Sequence, residues 1–556
     1  MLKPMICTTL REYDRKSFLN DVSAGVIVGI VALPLSIAFA IASGVTPERG
    51  LFTAIIAGAI TSLLGGSRVQ IGGPTGAFVV IVYAIVQKYG YSGLVTATII
   101  AGALLVAMGL CRLGGLLRFI PYTIVTGFTA GIAVTIFTTQ IGDFLGLRLS
   151  GVPGDFIGKI KTYALHLHTI NWMAVAVAEA SLLIIIFWRR INKKIPGSMV
   201  AVFISTLAVS FLGLPVDTIG SRFGAIPAGI PAPVIPDFSW PVIQELFSPA
   251  LSIAILGAVE SLLSATVADG MIGSHHRSNT ELVAQGIANI VTPVFGGIPA
   301  TGAIARTAAN VRNGGRTPVA GVVHALTLLL IMAVFGPYAA YIPMPALAAI
   351  LMHIAWSMSE THALRAILRG TKSDAAVLLV TFFVTVLVDL SVAIQVGVVM
   401  AAFLFMKKMA DLTTVSDNQE EDKDAYMLAG LKRPKGVFIY EIDGPFFFGS
   451  VQKLQEIMKL RTMDYKLMVL RMRHVNYIDA TGVRAIEQLF QECRRQHKIF
   501  IISGIRPQPQ KVFEKTGLAE KIGRDKVFTN IDEAMKYVVQ TLTPEPVSSE
   551  HITVST

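Results

Sequence analysis

The sequence predicts a polytopic α-helical membrane protein, built as an inverted repeat and followed by a small α/β domain. Three observations predict it. Of 556 residues, 53% are hydrophobic and only 15% charged, against about 25% charged in soluble domains, and the mean hydropathy is +0.62. The shortage of charge is uneven: residues 17–410 carry few charges, whereas 411–540 have an ordinary soluble composition. Finally, one Gly-Pro break occurs twice in apolar sequence, as Gly72-Gly73-Pro74-Thr75-Gly76-Ala77 and as Gly296-Gly297-Ile298-Pro299-Ala300-Thr301-Gly302-Ala303. Gly and Pro interrupt or start helices. Two broken helices at matching places in two halves of a chain point to a transporter's central site.

The formal net charge of +11 does not make this a nucleic-acid binder. Lys and Arg gather in short loops and termini, such as Arg11–Lys16, Arg189–Lys194 and Lys407-Lys408, the pattern of positive-inside topology. Three cysteines, Cys7, Cys111 and Cys493, have neither disulfide nor zinc spacing. Residues 1–16 read as a polar cytoplasmic leader rather than a cleaved signal.

In chain order, Asp21–Gly44 is the first span, interrupted at Leu33-Pro34, and Leu51–Leu64 the second. After the first break a helix runs from about Thr75 to Gln87, too short for the ~20 residues a crossing needs. Leu94–Leu113 and Ile120–Gly142 follow, then a polar connection over 143–170. Trp172–Trp188 and Gly197–Leu214 close the first half, before a Pro- and Gly-rich loop to Pro241. The second half holds Leu251–Gly270, a solvated turn at His275-His276, and Glu281–Val294. The second broken segment has its helix over about Thr301–Asn313, and four further spans lie in Pro318–Phe335, Pro345–Met358, Asp374–Val388 and Ser391–Met406. The total is about fourteen membrane segments. Thr75 and Thr301 are 226 positions apart, and the same offset carries Pro34 onto Glu260. Seven segments per half would reverse the second half's orientation, as an inverted repeat requires.

Residues 411–429 read as an acidic linker and 430–542 as a second domain, with strands Gly436–Ile442, Lys466–Met472 and Ile499–Ser503 and helices Val451–Lys459, Gly482–Arg495 and Gln510–Thr516. Residues 543–556 read as a polar, disordered tail.

A helix N-terminus offers unpaired N–H groups and partial positive charge, so it attracts anions. Two half-helices starting at Thr75 and Thr301 from opposite sides would aim both positive ends at one point in low dielectric. Thr75 and Thr301 add hydroxyls, while Gly73, Gly76 and Gly302 let an anion approach the backbone. Tight helix packing is the alternative use of those glycines. Arg306 in the second half-helix adds positive potential, or pairs with a carbonyl. Glu260, in Gly257-Ala-Val-Glu-Ser-Leu-Leu-Ser264, is expected to be protonated, paired with Arg306, or ion-coordinating with Ser264. Phe39 supplies an apolar wall. No nucleophile motif, phosphate-binding loop or metal cluster is present, so no enzyme, no cofactor and no metal is predicted. The coupling agent is a proton or a sodium ion.

Leu33-Pro34 with Phe39, Gly72–Thr75, Glu260 with Asp269-Gly270, Gly296–Asn310 and the C-terminal module together resemble the SulP sulfate-permease group, bacterial relatives of animal solute carrier family 26. The resemblance spans nearly the whole chain and is closest, through Leu256–Asn313, to the DauA-type dicarboxylate transporters of enteric bacteria. It implies a core domain moving against a gate domain in a uracil-permease-like fold, a homodimer, and an anion between the third and tenth helices. Phe39, Thr75, Thr301, Gly302 and Ala303 match anion-site positions, and Arg306 matches an arginine of an animal motor member. Glu260 and Ser264 align with the Asp and Thr of a cyanobacterial sodium site. Leu35 stands where several animal members have Gln, and the Asp-to-Glu difference at Glu260 favours a proton over sodium. Ile478-Asp479-Ala480-Thr481-Gly482-Val483 resembles a STAS domain, in which Thr481 matches a phosphorylated Ser and Asp479 with Thr481 otherwise caps a helix.

The expected function is secondary active transport of a sulfate-, bicarbonate- or dicarboxylate-class anion by alternating access. The expected setting is the bacterial inner membrane, with both termini cytoplasmic and a cytoplasmic partner for the STAS domain. A sodium-coupled bicarbonate carrier, an anion exchanger, a passive anion channel, a nucleobase or uncharged-solute carrier, and a membrane sensor signalling through the STAS domain are the alternatives.

Overall fold

The structure, a computed structural model, describes residues 2–115, 121–149, 151–192, 196–224, 227, 229, 231–233, 236, 238–388, 390–417, 436–454 and 465–542. It divides into two compact units at Ala401/Ala402.

In the first unit the chain forms α1 (Arg15–Ala42), α2 (Pro47–Leu64), β1 (Gly72–Gly73), α3 (Gly76–Leu110), α4 (Tyr122–Leu145), α5 (Phe156–Leu165), α6 (Trp172–Ile191) and α7 (Gly197–Leu212). The second half repeats the pattern with α8 (Trp240–Ile272), α9 (Ser278–Val294), β2 (Thr301–Gly302), α10 (Ile304–Arg312), α11 (Val319–Phe335), α12 (Met344–Met358), α13 (Lys372–Leu387) and α14 (Leu390–Leu412), which runs across the boundary. Six described helices are long and apolar enough to cross a membrane. The helices sort into two packed sets. One holds α1, α2, α3, α8, α9 and α11; the other holds α4, α6, α7, α12 and α13.

Several local features depart from the sequence expectation. Pro34 does not end α1, which continues through it. A Pro inside a helix costs one backbone bond, and neighbouring helices satisfy what it frees. Gly50 of α2 packs against the turn after Pro34: a Cβ there would lie 1.9 Å from the Ser36 carbonyl oxygen. Gly50→Ala is therefore expected to lower the thermal unfolding midpoint of the detergent-purified protein by overpacking, a cost of about 1–3 kcal/mol or more. An unchanged midpoint would mean that the two helices are not this close.

The short first half-helix is visible as a kink in α3, where Gly90 sits at φ 67 and ψ −177. The connection over 143–170 is not simply polar loop, because Asp155 caps the ten-residue α5 by accepting from Gly158 N–H at 2.7 Å. Nor is His276 solvated. Its backbone N–H donates to Asp269 Oδ2 at 2.7 Å, and its ring Nδ1 lies 2.7 Å from the same oxygen.

The second unit contains a five-stranded sheet, ordered β3 (Thr414–Asp417), β4 (Val437–Asp443), β5 (Leu467–His474), β6 (Ile499–Ser503), β7 (Val527–Phe528). β3 pairs antiparallel with β4, and the remaining pairs are parallel. β3 falls inside the expected linker, so 414–417 is an edge strand of the domain; residues 418–435 lie outside the described set. Helices α15 (Ala480–Arg495) and α16 (Pro507–Thr516) follow the expected βα alternation, and β7 with α17 (Ile531–Leu542) extends it beyond the elements predicted. The helix predicted over Val451–Lys459 is described only to Leu454, and the tail 543–556 lies outside the described residues.

β4, β5 and β6 bury both faces, one under Phe446, Ile486 and Phe513 and the other under Ala534, Met535 and Val538. Cys493 lies in the first of these cores, and burial pushes its thiol up to about 11. Iodoacetamide at pH 8 is expected to leave Cys493 unmodified in the folded protein while labelling the exposed Cys7 and Cys111. Equal labelling of all three would contradict the burial.

Candidate functional site

The two Gly-Pro breaks meet. β1 and β2 pair antiparallel, Gly72 with Gly302 and Gly73 with Thr301, where the sequence alone predicts only two separate interruptions. A non-helical segment at membrane depth must have its backbone satisfied by protein, and here polar side chains from the surrounding helices do it. Thr307 Oγ1 accepts from Ile71 N–H at 3.0 Å, and Asn310 Nδ2 donates to the Val69 carbonyl at 2.9 Å. Asn289 holds Ala300 through both its backbone groups at 2.8 Å, and Ser261 Oγ accepts from Gly302 N–H at 3.1 Å. Thr53 Oγ1 accepts from Ile298 N–H at 2.8 Å. The signal for these residues was present as isolated polar side chains in apolar helices, but no spacing rule marked which backbone group each would meet.

The half-helices start where these ties release the chain. Thr75 is the N-cap of α3 and Ala303 that of α10. The starts Gly76 and Ile304 are 228 positions apart, two more than the offset read from the Thr-Gly-Ala echo. Moving Pro34 by that distance gives Leu262, half a turn from Glu260.

Both N-termini border one cavity of about 290 Å³, lined also by Leu35, Phe39, Thr129, Glu260, Ser357, Met358 and Glu360. Of the predicted residues, the cavity brings together Phe39, Thr75, Gly76, Glu260, Ala303 and Arg306. Gly73, Thr301, Gly302 and Ser264 are not among its lining residues. Thr301 Oγ1 lies 2.9 Å from Ser261 Oγ, a Cβ on Gly302 would collide with Gln70 Nε2 at 1.6 Å, and Ser264 Oγ reaches Thr307 Oγ1 at 3.4 Å. Thr301 and Gly302 face α8, and Ser264, on α8, faces Thr307 of α10. Thr301 and Gly302 lie in β2, before α10 begins at Ile304, and Ser264 lies on α8 about one turn beyond Glu260.

Arg306 is fully buried, 2% exposed, and is fixed by its Nη2 donating to the Pro74 carbonyl at 2.8 Å. Its Nη1 has no partner among the described residues, nor does Thr75 Oγ1. Gly73 makes this approach practicable: its φ is 151, and a Cβ there would stand 2.5 Å from Nη1. Glu260 is buried, and among the described residues no group hydrogen-bonds its carboxylate. Glu360 at the rim accepts from Tyr122 Oη–H at 3.1 Å and holds a left-handed φ of 39, a strained conformation for a residue with a side chain. Sequence reasoning missed Glu360. It also missed His324 of α11, fully buried with both ring nitrogens unpartnered and close against Gly58.

Comparison with known proteins gives the family of the chain. The Sulfate permease family is matched over residues 18–381. The chain belongs to that family. A STAS domain is matched over 430–534. This sulfate-permease chain is 43% identical over 525 residues to YvdB of Bacillus subtilis, which carries the name of a sulfate transporter; the match covers 94% of this chain and 98% of that one. It is 29% identical over 545 residues to the bicarbonate transporter BicA of a Picosynechococcus strain, covering 94% and 95%. The mouse solute carrier 26 member A9 anion transporter, solved facing inward, shares the fold at a TM-score of 0.86 and 19% identity, over 96% of this chain and 93% of that one. The chain is accordingly an anion transporter of the membrane, not an enzyme.

In the second unit Asp479 caps α15, its Oδ1 accepting from Gly482 N–H at 2.8 Å and its Oδ2 from Phe448 N–H at 3.1 Å. Thr481 is exposed in the first turn.

Proposed function

We propose that this protein is a proton-coupled secondary transporter of a small oxyanion, working by alternating access around the cavity between α3 and α10. The observation that carries the reading is the convergence of two helix N-termini, the buried Arg306 and a buried Glu260 that no described residue hydrogen-bonds on one space. Anion and proton are then bound by neighbouring groups of opposite demand. The helix ends and Arg306 favour negative charge. The buried carboxyl of Glu260, which no described residue pairs with or hydrogen-bonds, favours arrival of a proton with the anion. Ser264 being turned toward Thr307 leaves Glu260 without the second oxygen ligand that sodium coordination would want, which favours the proton. The names of the relatives put sulfate and bicarbonate first among candidate substrates, with dicarboxylates as the third class.

Arg365, Arg369 and Lys372 follow directly on the cavity rim at Glu360, so the positive-inside tendency favours a cytoplasmic opening and a cytoplasmic STAS domain. The exposed Thr481 at a helix start is sterically open to a kinase, and a phosphate there would meet a favourable dipole.

Uptake of labelled sulfate, bicarbonate and succinate into proteoliposomes, with proton and sodium gradients imposed separately, tests the proposal. Accumulation of one of them driven by an inward proton gradient is expected. Uptake driven only by sodium would replace the coupling ion, and no uptake of any anion would end the reading.

A further inference from the structure

A second cavity lies behind the first. It measures about 110 Å³ and is bordered by Val79 and Tyr83 of α3, Thr135 of α4, Thr385 of α13, and Asp155 with Lys159 at the start of α5. On α3 it begins one turn beyond Gly76, which borders the central cavity, and on α4 two turns beyond Thr129. The layer between the two spaces is thin: Phe39 Cε1 and Ile136 Cδ1 stand 3.3 and 3.4 Å from where a Cβ on Gly76 would be. α4 begins at the Glu360 rim, through the Tyr122 bond, and α5 follows its other end. The second cavity therefore opens, when it opens, on the membrane face opposite the first.

Lys159 is only 3% exposed. Among the described residues it has no hydrogen-bond or ion-pair partner; its Nζ lies 4.6 Å from the centre of the Tyr83 ring. Asp155 lines the same space, but its carboxylate is engaged in capping α5 and makes no ion pair with Lys159. An enclosed ammonium whose acidic neighbour, Asp155, attracts it without forming an ion pair is costly to keep, and a fold that keeps one facing a cavity presents it to an anion. We propose that Lys159 forms a second station for the transported anion, on the outer side of the Phe39–Ile136 layer, where the ion is received before it reaches the paired helix ends. The proposal rests on the anion-transport reading above.

The test compares anion uptake by intact cells, which samples the outer face, with uptake by inverted membrane vesicles, which samples the cytoplasmic face. Lys159→Gln is expected to raise KM at the outer face roughly tenfold or more while leaving KM at the cytoplasmic face within about twofold. Lys159→Met, which keeps the aliphatic stem on Tyr83, should behave like Gln, and Lys159→Arg should restore the outer KM. An unchanged outer KM in the neutral variants, or an equal rise at both faces, would overturn the second station while leaving anion transport standing. Loss of membrane accumulation in both neutral variants with normal Arg protein would make Lys159 a structural cation and would overturn it as well. Absence of uptake by the unsubstituted protein would instead remove the anion-transport reading itself, and the station with it.

Discussion

Arg306→Ala is expected to reduce anion uptake by about two orders of magnitude, the factor that loss of about 3 kcal/mol of charge-assisted hydrogen bonding sets. Two consequences combine in that substitution. The anion loses the Nη1 donor and its charge, and the Pro74 carbonyl loses the Nη2 bond that holds the turn before Thr75. Arg306→Lys separates them. A single ammonium retains the charge but cannot donate to Pro74 and to the cavity in the fixed fork geometry of a guanidinium. Uptake by the Lys variant should fall between those of the wild type and the Ala variant, with the defect in KM rather than in protein accumulation. If Arg306→Ala transports normally, the arginine serves only to tie the turn, and the helix ends alone hold the anion.

The second large effect is expected at Glu260. Glu260→Gln keeps the shape and removes the titratable proton, so concentrative uptake driven by a pH gradient should be lost while anion-for-anion counterflow at equal pH persists. The asymmetry follows from the site: Glu260 borders the cavity beside the half-helix ends, yet no described residue neutralises or hydrogen-bonds it. Loss of both modes together would assign Glu260 to anion binding or folding. Retention of both would transfer the coupling role to another buried titratable group, for which His324 is the candidate.

The broken helices were legible in the sequence because Gly and Pro act locally: Gly72–Pro74 and Gly296–Pro299 had to interrupt helices wherever they lay. Their pairing was not legible. Two strands of two residues each, one in each half of the membrane domain's sequence, carry no periodicity from which a register could be read. Thr301 illustrates the cost. Its echo of Thr75 suggested an equivalent role, yet α3 starts directly after Thr75 and α10 only three residues after Thr301, so Thr301 bonds Ser261 and Ala303 takes the cap. Lys159 was invisible for another reason: a lysine in a polar connection reads as solvated until the helix capped by Asp155 folds it over Tyr83. Glu360 was passed over as the end of a span, where its left-handed backbone has no sequence signature. The STAS strands were legible almost throughout, since runs such as Val437–Ile442 and Leu467–Met472 are short and apolar and break at turn residues. The two edge strands escaped: β3 is hidden beside acidic linker residues, and β7 is only two residues long.

The claim on which the account depends is that the transported anion sits between the N-termini of α3 and α10. A structure determined with selenate, the heavier counterpart of sulfate, or with bromide as a general anion probe, locates it directly by anomalous scattering. The account predicts a peak in the cavity bordered by Thr75 and Ala303, within hydrogen-bonding reach of Arg306 Nη1 and absent in Arg306→Ala. A peak confined to any other part of the membrane domain, under conditions where the same anion is transported, would contradict it.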